Sequence, residues 1–118
     1  MTFAYHLPDN YTREKFARKE LDYGSGRYEF AAELWGRPAN VSATLDAQNE
    51  VLRQLARESD NTLFVDMQAR LPKSGRVFSD VCHLTPEGCQ QIVELMLPAL
   101  EDWVRTMDAS HAAAVAVP

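Results

Sequence analysis

The chain has 118 residues, enough for one domain at most, and a domain of this length buries more than about 60% of its unfolded surface. With 46% hydrophobic and 25% charged residues, it is neither a disordered nor a collagen-like sequence. A net charge of -5 argues against a nucleic-acid or anionic-membrane surface, because such surfaces need clustered Lys and Arg. No apolar run is long enough to span a membrane, and the two cysteines do not make a disulfide framework.

The first residues predict a short buried strand. Residues 1–7 are apolar and aromatic, and a Pro-Asp-Asn turn follows them. No signal peptide can be read here, which leaves the compartment open with the cytoplasm as default and says little if the true amino terminus lies elsewhere. His6 lies at the expected carboxyl end of the strand, where open sheets place ligands, although such a histidine is more commonly a loop-facing side chain.

Residues 11–35 are polar but rich in aromatic side chains. Thr12 is a candidate cap for a helix that runs to about Asp22, and a second short helix is predicted near residues 27–34. The aromatic side chains would either cover a substrate pocket or, more commonly, pin a long crossover segment onto a sheet.

Residues 41–58 predict the clearest helix, with Asn40 or Ser42 as its cap. Its expected buried face comprises Val41, Leu45, Gln48, Leu52, Leu55 and Ala56, and its expected solvent face comprises Asp46, Glu50, Arg53 and Arg57. The apolar run at residues 62–67 is typical of a strand buried on both faces of a parallel sheet. Together these segments predict a βαβ unit, with Asp66 as a cap at its functional edge and not a second catalytic acid.

A last helix is predicted from Pro86 to about Met107. Its expected buried face comprises Cys89, Ile92, Val93, Met96, Leu100, Trp103 and Val104. Pro98 should kink it, because proline cannot donate a backbone hydrogen bond. Gly88 should permit a close approach of the preceding loop, and the tail at residues 108–118 should fray.

The segment between strand and helix carries an acid and an imidazole. Asp80 and His83 are three residues apart without a helical pattern, so a tight turn can bring the carboxylate to the nearer ring nitrogen. This is the orienting half of a nucleophile, base and acid system. Thr85 is the predicted cap of the following helix. An Asp and a His in a loop could equally be unrelated solvent-facing side chains.

The string Asp-x-x-His-Leu-Thr-x-x-Gly, at residues 80–88, resembles the last sequence block of the SGNH/GDSL hydrolases. The resemblance implies an α/β/α sandwich of flavodoxin-like type, of which residues 1–107 are a carboxyl-terminal portion and residues 108–118 a frayed tail. It also implies that His83 is the base and Asp80 the orienting acid of a triad acting on a small-molecule, glycan or lipid ester. It implies no cofactor and no metal.

The chain departs from this family in having no Gly-Asp-Ser-Leu-like block and no Gly-x-Asn-Asp block. Losing one oxyanion donor costs about two to three orders of magnitude in rate, and losing the nucleophile costs more. The chain alone is therefore predicted to be inactive as an esterase. Its expected partners are a missing amino-terminal part of the domain, or a second copy paired through an exposed sheet edge.

Other functions stay open. A non-catalytic interaction or regulatory α/β domain could bind a partner through residues 11–35. A metal site could form from Asp80, Cys82, His83 and Cys89, although this spacing fits none of the usual zinc patterns.

Two further nucleophiles are disfavoured. Ser25 lies between glycines but lacks the Gly-x-Ser-x-Gly pattern and the preceding strand of a nucleophile elbow. The side chain of Cys82, next to His83 in sequence, is expected to point elsewhere.

Overall fold

The fold is mostly helical. The computed structural model describes residues 1–24, 34–60 and 62–115, with side chains as far as residue 108. The structure is 53% helix and 2% strand. The described helices are α1 (Arg13–Ala17), α2 (Pro38–Arg57), α3 (Met67–Arg70) and α4 (Pro86–Val115). None of them, over the residues described, has the length and apolar character needed to cross a membrane.

The predicted flavodoxin-like sandwich is wrong, because the described residues form no sheet and only one isolated antiparallel bridge, between Phe78 and Leu84. The two predicted strands do lie side by side, and the N–H of Thr2 donates to the carbonyl of Val65 at 3.2 Å. A parallel pair needs a regular series of such bonds. Instead, the N–H of His6 donates to Val81 at 2.9 Å, so the series does not continue and the βαβ unit is absent.

Side-chain amides take the place of a neighbouring strand along the first segment. The N–H of Phe3 donates to Asn49 Oδ1 at 2.7 Å, and Asn49 Nδ2 donates back to the Phe3 carbonyl at 2.9 Å. The N–H of Tyr5 donates to Gln68 Oε1 at 2.8 Å. Buried backbone groups need such partners. Because these groups are satisfied, the predicted pairing of two copies through a sheet edge has no basis in the described residues.

Helix α1 confirms the predicted cap but is shorter than predicted. The Thr12 hydroxyl accepts a hydrogen bond from the N–H of Lys15 at 3.1 Å. The helix ends at Ala17 and not near Asp22, because Lys19 adopts a φ of 58°, which a right-handed helix does not allow. The second helix predicted near residues 27–34, and Ser25, lie largely or wholly outside the described residues.

Helix α2 begins at Pro38, before the predicted caps Asn40 and Ser42. Proline suits the first helical position, since its missing N–H would have no partner there. The residues buried on α2 are Val41, Leu45 and Asn49. The predictions for Gln48 and Leu55 are wrong, because both residues are exposed, Leu55 by 56%. A helix that lies over one non-sheet segment buries a narrower face than a helix on a sheet.

Helix α4 buries only part of the predicted face, because Ile92 and Met96 contact the core and the other predicted residues do not. Its contacts with the core are Ile92, Leu95, Met96 and Ala99. Several residues predicted to be buried are exposed instead: Cys89, Val93, Leu100, Trp103 and Val104. No described sheet lies under the helix to cover them. The helix continues to Val115, beyond the predicted end at Met107 and through most of the tail predicted to fray.

The described residues form a core of two clusters. The buried residues of the first are Tyr5, Tyr11, Val41, Leu45 and Val81. Those of the second are Val65, Met67, Leu71, Val77 and Phe78. Tyr23 packs against both clusters, and residues 77–81 contribute to both. The loop that carries Asp80 is therefore rooted in the centre of the core.

A buried amide replaced by alanine should destabilise the fold. The Asn49→Ala variant leaves the N–H and carbonyl of Phe3 without these partners, so we expect a loss of about 1–3 kcal/mol in the free energy of unfolding, measured with urea. The control is Asn40→Ala, an exposed position on the same helix. Equal losses in the two variants would contradict the role of the Asn49 amide.

Asp66 connects three parts of the fold. Its carboxylate accepts hydrogen bonds from the N–H of Ala69 at 3.1 Å and the hydroxyl of Thr2 at 2.8 Å. It also pairs with Arg53 on α2, with Nε and Oδ2 2.7 Å apart. The hydrogen bond from Arg53 is the main reason that the pKa of Asp66 falls from 3.8 to about 2. The sequence predicts Asp66 as a cap for the site loop, whereas in the structure it is the N-cap of α3.

Asp66 should make stability depend on pH. Because its pKa is lower in the folded state, its contribution is complete above the ordinary value of 3.8 and is lost as the pH falls towards about 2. We expect Asp66→Asn to be less stable than the native chain at neutral pH, with a difference that shrinks over this acidic range. Urea unfolding at each pH measures it. The matched control is Asp60→Asn, at an exposed position. If it showed the same pH-dependent difference in stability, the pH dependence could not be assigned to Asp66.

Candidate active site

The site loop is closed by hydrogen bonds across its base. The N–H of Ser79 donates to the carbonyl of His83 at 2.8 Å, and the Ser79 hydroxyl donates to the same carbonyl at 3.2 Å. One step further out, the N–H of Thr85 donates to the carbonyl of Val77 at 2.9 Å. The intervening residues therefore form a short loop whose two ends are held together.

The start of α4 holds the other side of this loop. The Thr85 hydroxyl accepts from the N–H of Gly88 at 3.1 Å, which confirms Thr85 as the cap, and Pro86 is the first helical residue. A Cβ on Gly88 would lie 2.2 Å from the carbonyl oxygen of Val77. This confirms that Gly88 permits the helix and the loop to approach closely.

Asp80 and His83 face each other inside the loop. Asp80 Oδ1 accepts from the N–H groups of Cys82 at 2.9 Å and His83 at 2.7 Å. Asp80 Oδ2 lies 2.7 Å from His83 Nδ1. The predicted contact between the two side chains is confirmed, while their catalytic role stays a prediction.

The charge of Asp80 determines which ring nitrogen of His83 carries the proton. Burial raises the pKa of Asp80, but the hydrogen bonds from the N–H groups of His83 and Cys82 outweigh it, so the net pKa lies below its usual value. Asp80 is therefore a carboxylate at neutral pH, and Nδ1 must carry the proton that it donates to Oδ2. The far nitrogen, Nε2, is then the basic atom of a side chain that is 62% exposed.

Tyr23 lies close to this charge. Its hydroxyl donates to the carbonyl of His6 at 2.8 Å. Burial raises the pKa of Tyr23 above its usual range, and the negative charge of the Asp80 carboxylate raises it further. The phenol stays protonated and holds the first segment against the site loop.

Cys82 lies nearer to the imidazole than the sequence predicts. Its Sγ is 3.8 Å from His83 Nδ1, so the expectation that this side chain points elsewhere is wrong. Single ligand atoms of Asp80, Cys82 and His83 all lie within 4.8 Å of one another. Cys89, the fourth member of the metal set considered from the sequence, is an exposed residue of α4 and does not belong to this group. Adjacent residues in an extended segment point in opposite directions, but in the turn after Asp80 the side chains of Cys82 and His83 lie on the same side.

His6 lies beside the site loop but has packing partners of its own. Its ring meets Tyr23 edge-on, with centroids 5.8 Å apart, and Phe78 at 5.7 Å. Burial lowers the pKa of His6, and the positive charge of Lys73 lowers it further, so the ring is neutral. These contacts agree with a packing role. His6 and Lys73 line an open cavity of about 610 Å³. Burial in this cavity lowers the pKa of Lys73 to about 8.

The aromatic segment contributes to the core as far as it is described. Tyr11 is buried in the first cluster, and its hydroxyl accepts from the N–H of Trp35 at 2.8 Å. Tyr23 packs against both clusters. These positions show aromatic residues that hold a connecting segment against the core, but the sheet onto which the sequence predicts they pin it is absent from the described residues.

Comparison of the chain with family models, with curated proteins and with solved structures found no match. The resemblance to the SGNH/GDSL hydrolases therefore rests on the residues from Asp80 to Gly88. What the geometry adds is chemical. An imidazole with an ionised acid on Nδ1 can accept a proton at Nε2 from a hydroxyl or a water.

The tautomer of His83 provides a test of this geometry. In Asp80→Asn the amide oxygen can still accept the two backbone N–H bonds, but the charge opposite Nδ1 is gone. We expect the native ring to hold its proton on Nδ1 and the variant to gain the Nε2–H tautomer, read from the ring nitrogen shifts by NMR. His6 is the internal control and should not change. An unchanged His83 tautomer would show that the carboxylate does not orient the ring.

Proposed function

We propose that this chain supplies the histidine base and the orienting aspartate of a serine ester hydrolase of SGNH/GDSL type, and that it does not hydrolyse esters by itself. His83 would take the proton of a serine hydroxyl at Nε2 and later return it to the leaving alcohol. Asp80 would hold the ring in the required tautomer and stabilise the imidazolium formed in the transition state.

One observation carries the proposal: the 2.7 Å contact of Asp80 Oδ2 with His83 Nδ1, in a loop whose backbone also holds the carboxylate. A base needs its ring orientation settled before substrate arrives, because each rotation left free reduces the fraction of productive encounters. The exposure of His83 supports the proposal as well, since Nε2 must be reachable by a nucleophile from elsewhere.

The lack of activity in isolation follows from the sequence. No Gly-Asp-Ser block is present to supply the serine, and no Gly-x-Asn-Asp block is present to supply an oxyanion donor. An imidazole and a carboxylate without these partners act only as a general base on water, which contributes about 10²- to 10⁴-fold at most. The substrate class proposed is an ester of a small molecule, a glycan or a lipid.

The test uses the protein as its natural source makes it. A tag at the carboxyl terminus, placed at the natural locus, retains whatever polypeptide precedes or accompanies the chain. A fluorophosphonate, which reacts only with activated serines, should label the purified material. We expect His83→Ala to reduce both labelling and ester hydrolysis by about 10³-fold or more, as removal of a triad member does.

Cys89→Ala is the matched control, because Cys89 is an exposed residue on the adjoining helix and should leave labelling unchanged. Absence of any labelled serine in the native material, or equal labelling in His83→Ala, would overturn the hydrolase proposal. The proposal that the chain is inactive by itself would be overturned if the isolated chain of 118 residues hydrolysed esters in a reaction that depends on His83.

A second candidate function is a non-catalytic interaction module. It is favoured by the exposed apolar side chains of α4: Val93, Leu97, Leu100, Val104 and Met107 are each more than 40% exposed. Contiguous apolar surface of this kind often marks a protein contact. In that case Leu97→Glu would impair the biological activity of the chain and His83→Ala would not, the opposite of the result expected for a hydrolase.

A further inference from the structure

We propose that the site loop is also a binding site for a thiophilic divalent cation of the zinc type, held by Asp80 Oδ2, Cys82 Sγ and His83 Nδ1. One ligand atom from each of the three residues lies within 4.8 Å of the other two. Thiolate, imidazole and carboxylate are the three ligand types that proteins use for Zn²⁺.

The distances suit this ion. Zinc bonds sulfur at about 2.3 Å and nitrogen or oxygen at about 2.0–2.2 Å, so tetrahedral ligands lie about 3.3–3.6 Å apart. Cys82 Sγ and His83 Nδ1 are 3.8 Å apart, and need only a small movement towards each other. Asp80 Oδ2 and His83 Nδ1 are 2.7 Å apart and must separate slightly. Rotation of the exposed His83 side chain and the half-exposed Cys82 side chain provides both adjustments.

The loop is organised for chelation before any ion arrives. Asp80 is fixed through Oδ1 by two backbone N–H groups, which leaves Oδ2 directed at the ring. The ends of the loop are joined by the bonds between Ser79 and His83. Ligands that are already ordered lose little conformational entropy on binding. Three protein ligands also leave a fourth position for water, as in open zinc sites.

Binding exchanges protons for the cation. As the bonds to the metal form, the Cys82 thiol loses its proton to solvent, the proton on His83 Nδ1 is replaced by one on Nε2 so that the imidazole stays neutral, and the hydrogen bond between Asp80 and Nδ1 is lost. The metal-bound loop and the acid–imidazole pair are thus alternative states. If the chain is part of a hydrolase that uses the Asp80–His83 pair, as proposed above, the bound cation inhibits that hydrolase.

Cobalt(II) is the probe, because it takes zinc sites and absorbs light. Titration of the purified chain should give a saturable sulfur-to-cobalt charge-transfer band with one ion per chain, and Zn²⁺ should remove the band. We expect Cys82→Ser to abolish the band and to weaken Zn²⁺ binding by more than about 100-fold, since loss of even an outer-shell partner costs about 10- to 100-fold. Cys89→Ser, at the other cysteine of the chain, should retain both.

A second variant keeps the test decisive. His83→Gln changes an exposed side chain, so its fold is expected to be retained, and circular dichroism checks this for every variant. It should lose the binding that Cys89→Ser retains. Absence of a saturable band in the native chain, or a band that persists in Cys82→Ser, would overturn the proposal. No ester enters this experiment, so its failure is distinct from failure of the proposed hydrolase.

Discussion

The carboxylate of Asp80 is the group on which the site depends. One oxygen holds two backbone N–H groups and thereby shapes the loop, and the other holds the imidazole of His83. The side chain of Asp80 is only 14% exposed, so these bonds replace the water that a carboxylate would otherwise require. A single buried charge therefore determines both the backbone conformation and the orientation of an exposed ring.

The fold around this loop is governed by the need to satisfy backbone groups without a sheet. The first segment lies between helices and loop, and its N–H groups end on a helix amide at Asn49, on Gln68 and on the carbonyls of Val65 and Val81. Each bond goes to a different part of the chain. The segment is thus held in place by varied contacts and not by a repeating ladder of strand hydrogen bonds.

The two chemistries proposed for the loop share one atom. With a proton on Nδ1, His83 is oriented by Asp80 and basic at Nε2. With a cation on Nδ1, Cys82 and Asp80 become fellow ligands and the ring no longer serves as an oriented base. Which state forms depends on the supply of a thiophilic cation, because the same three side chains are in position for both.

Local features of this protein could be predicted from its sequence, and long-range ones could not. The caps at Thr12 and Thr85, the existence of α2 and α4 and the contact of Asp80 with His83 all involve residues at most a few positions apart, so spacing and side-chain chemistry determine them. Contacts such as Phe3 with Asn49, 46 residues away, decide that the described part of the chain forms no sheet. An apolar run shows that a segment is buried, but only the folded chain decides whether its backbone groups bond to a strand or to side chains, since either partner satisfies them equally well.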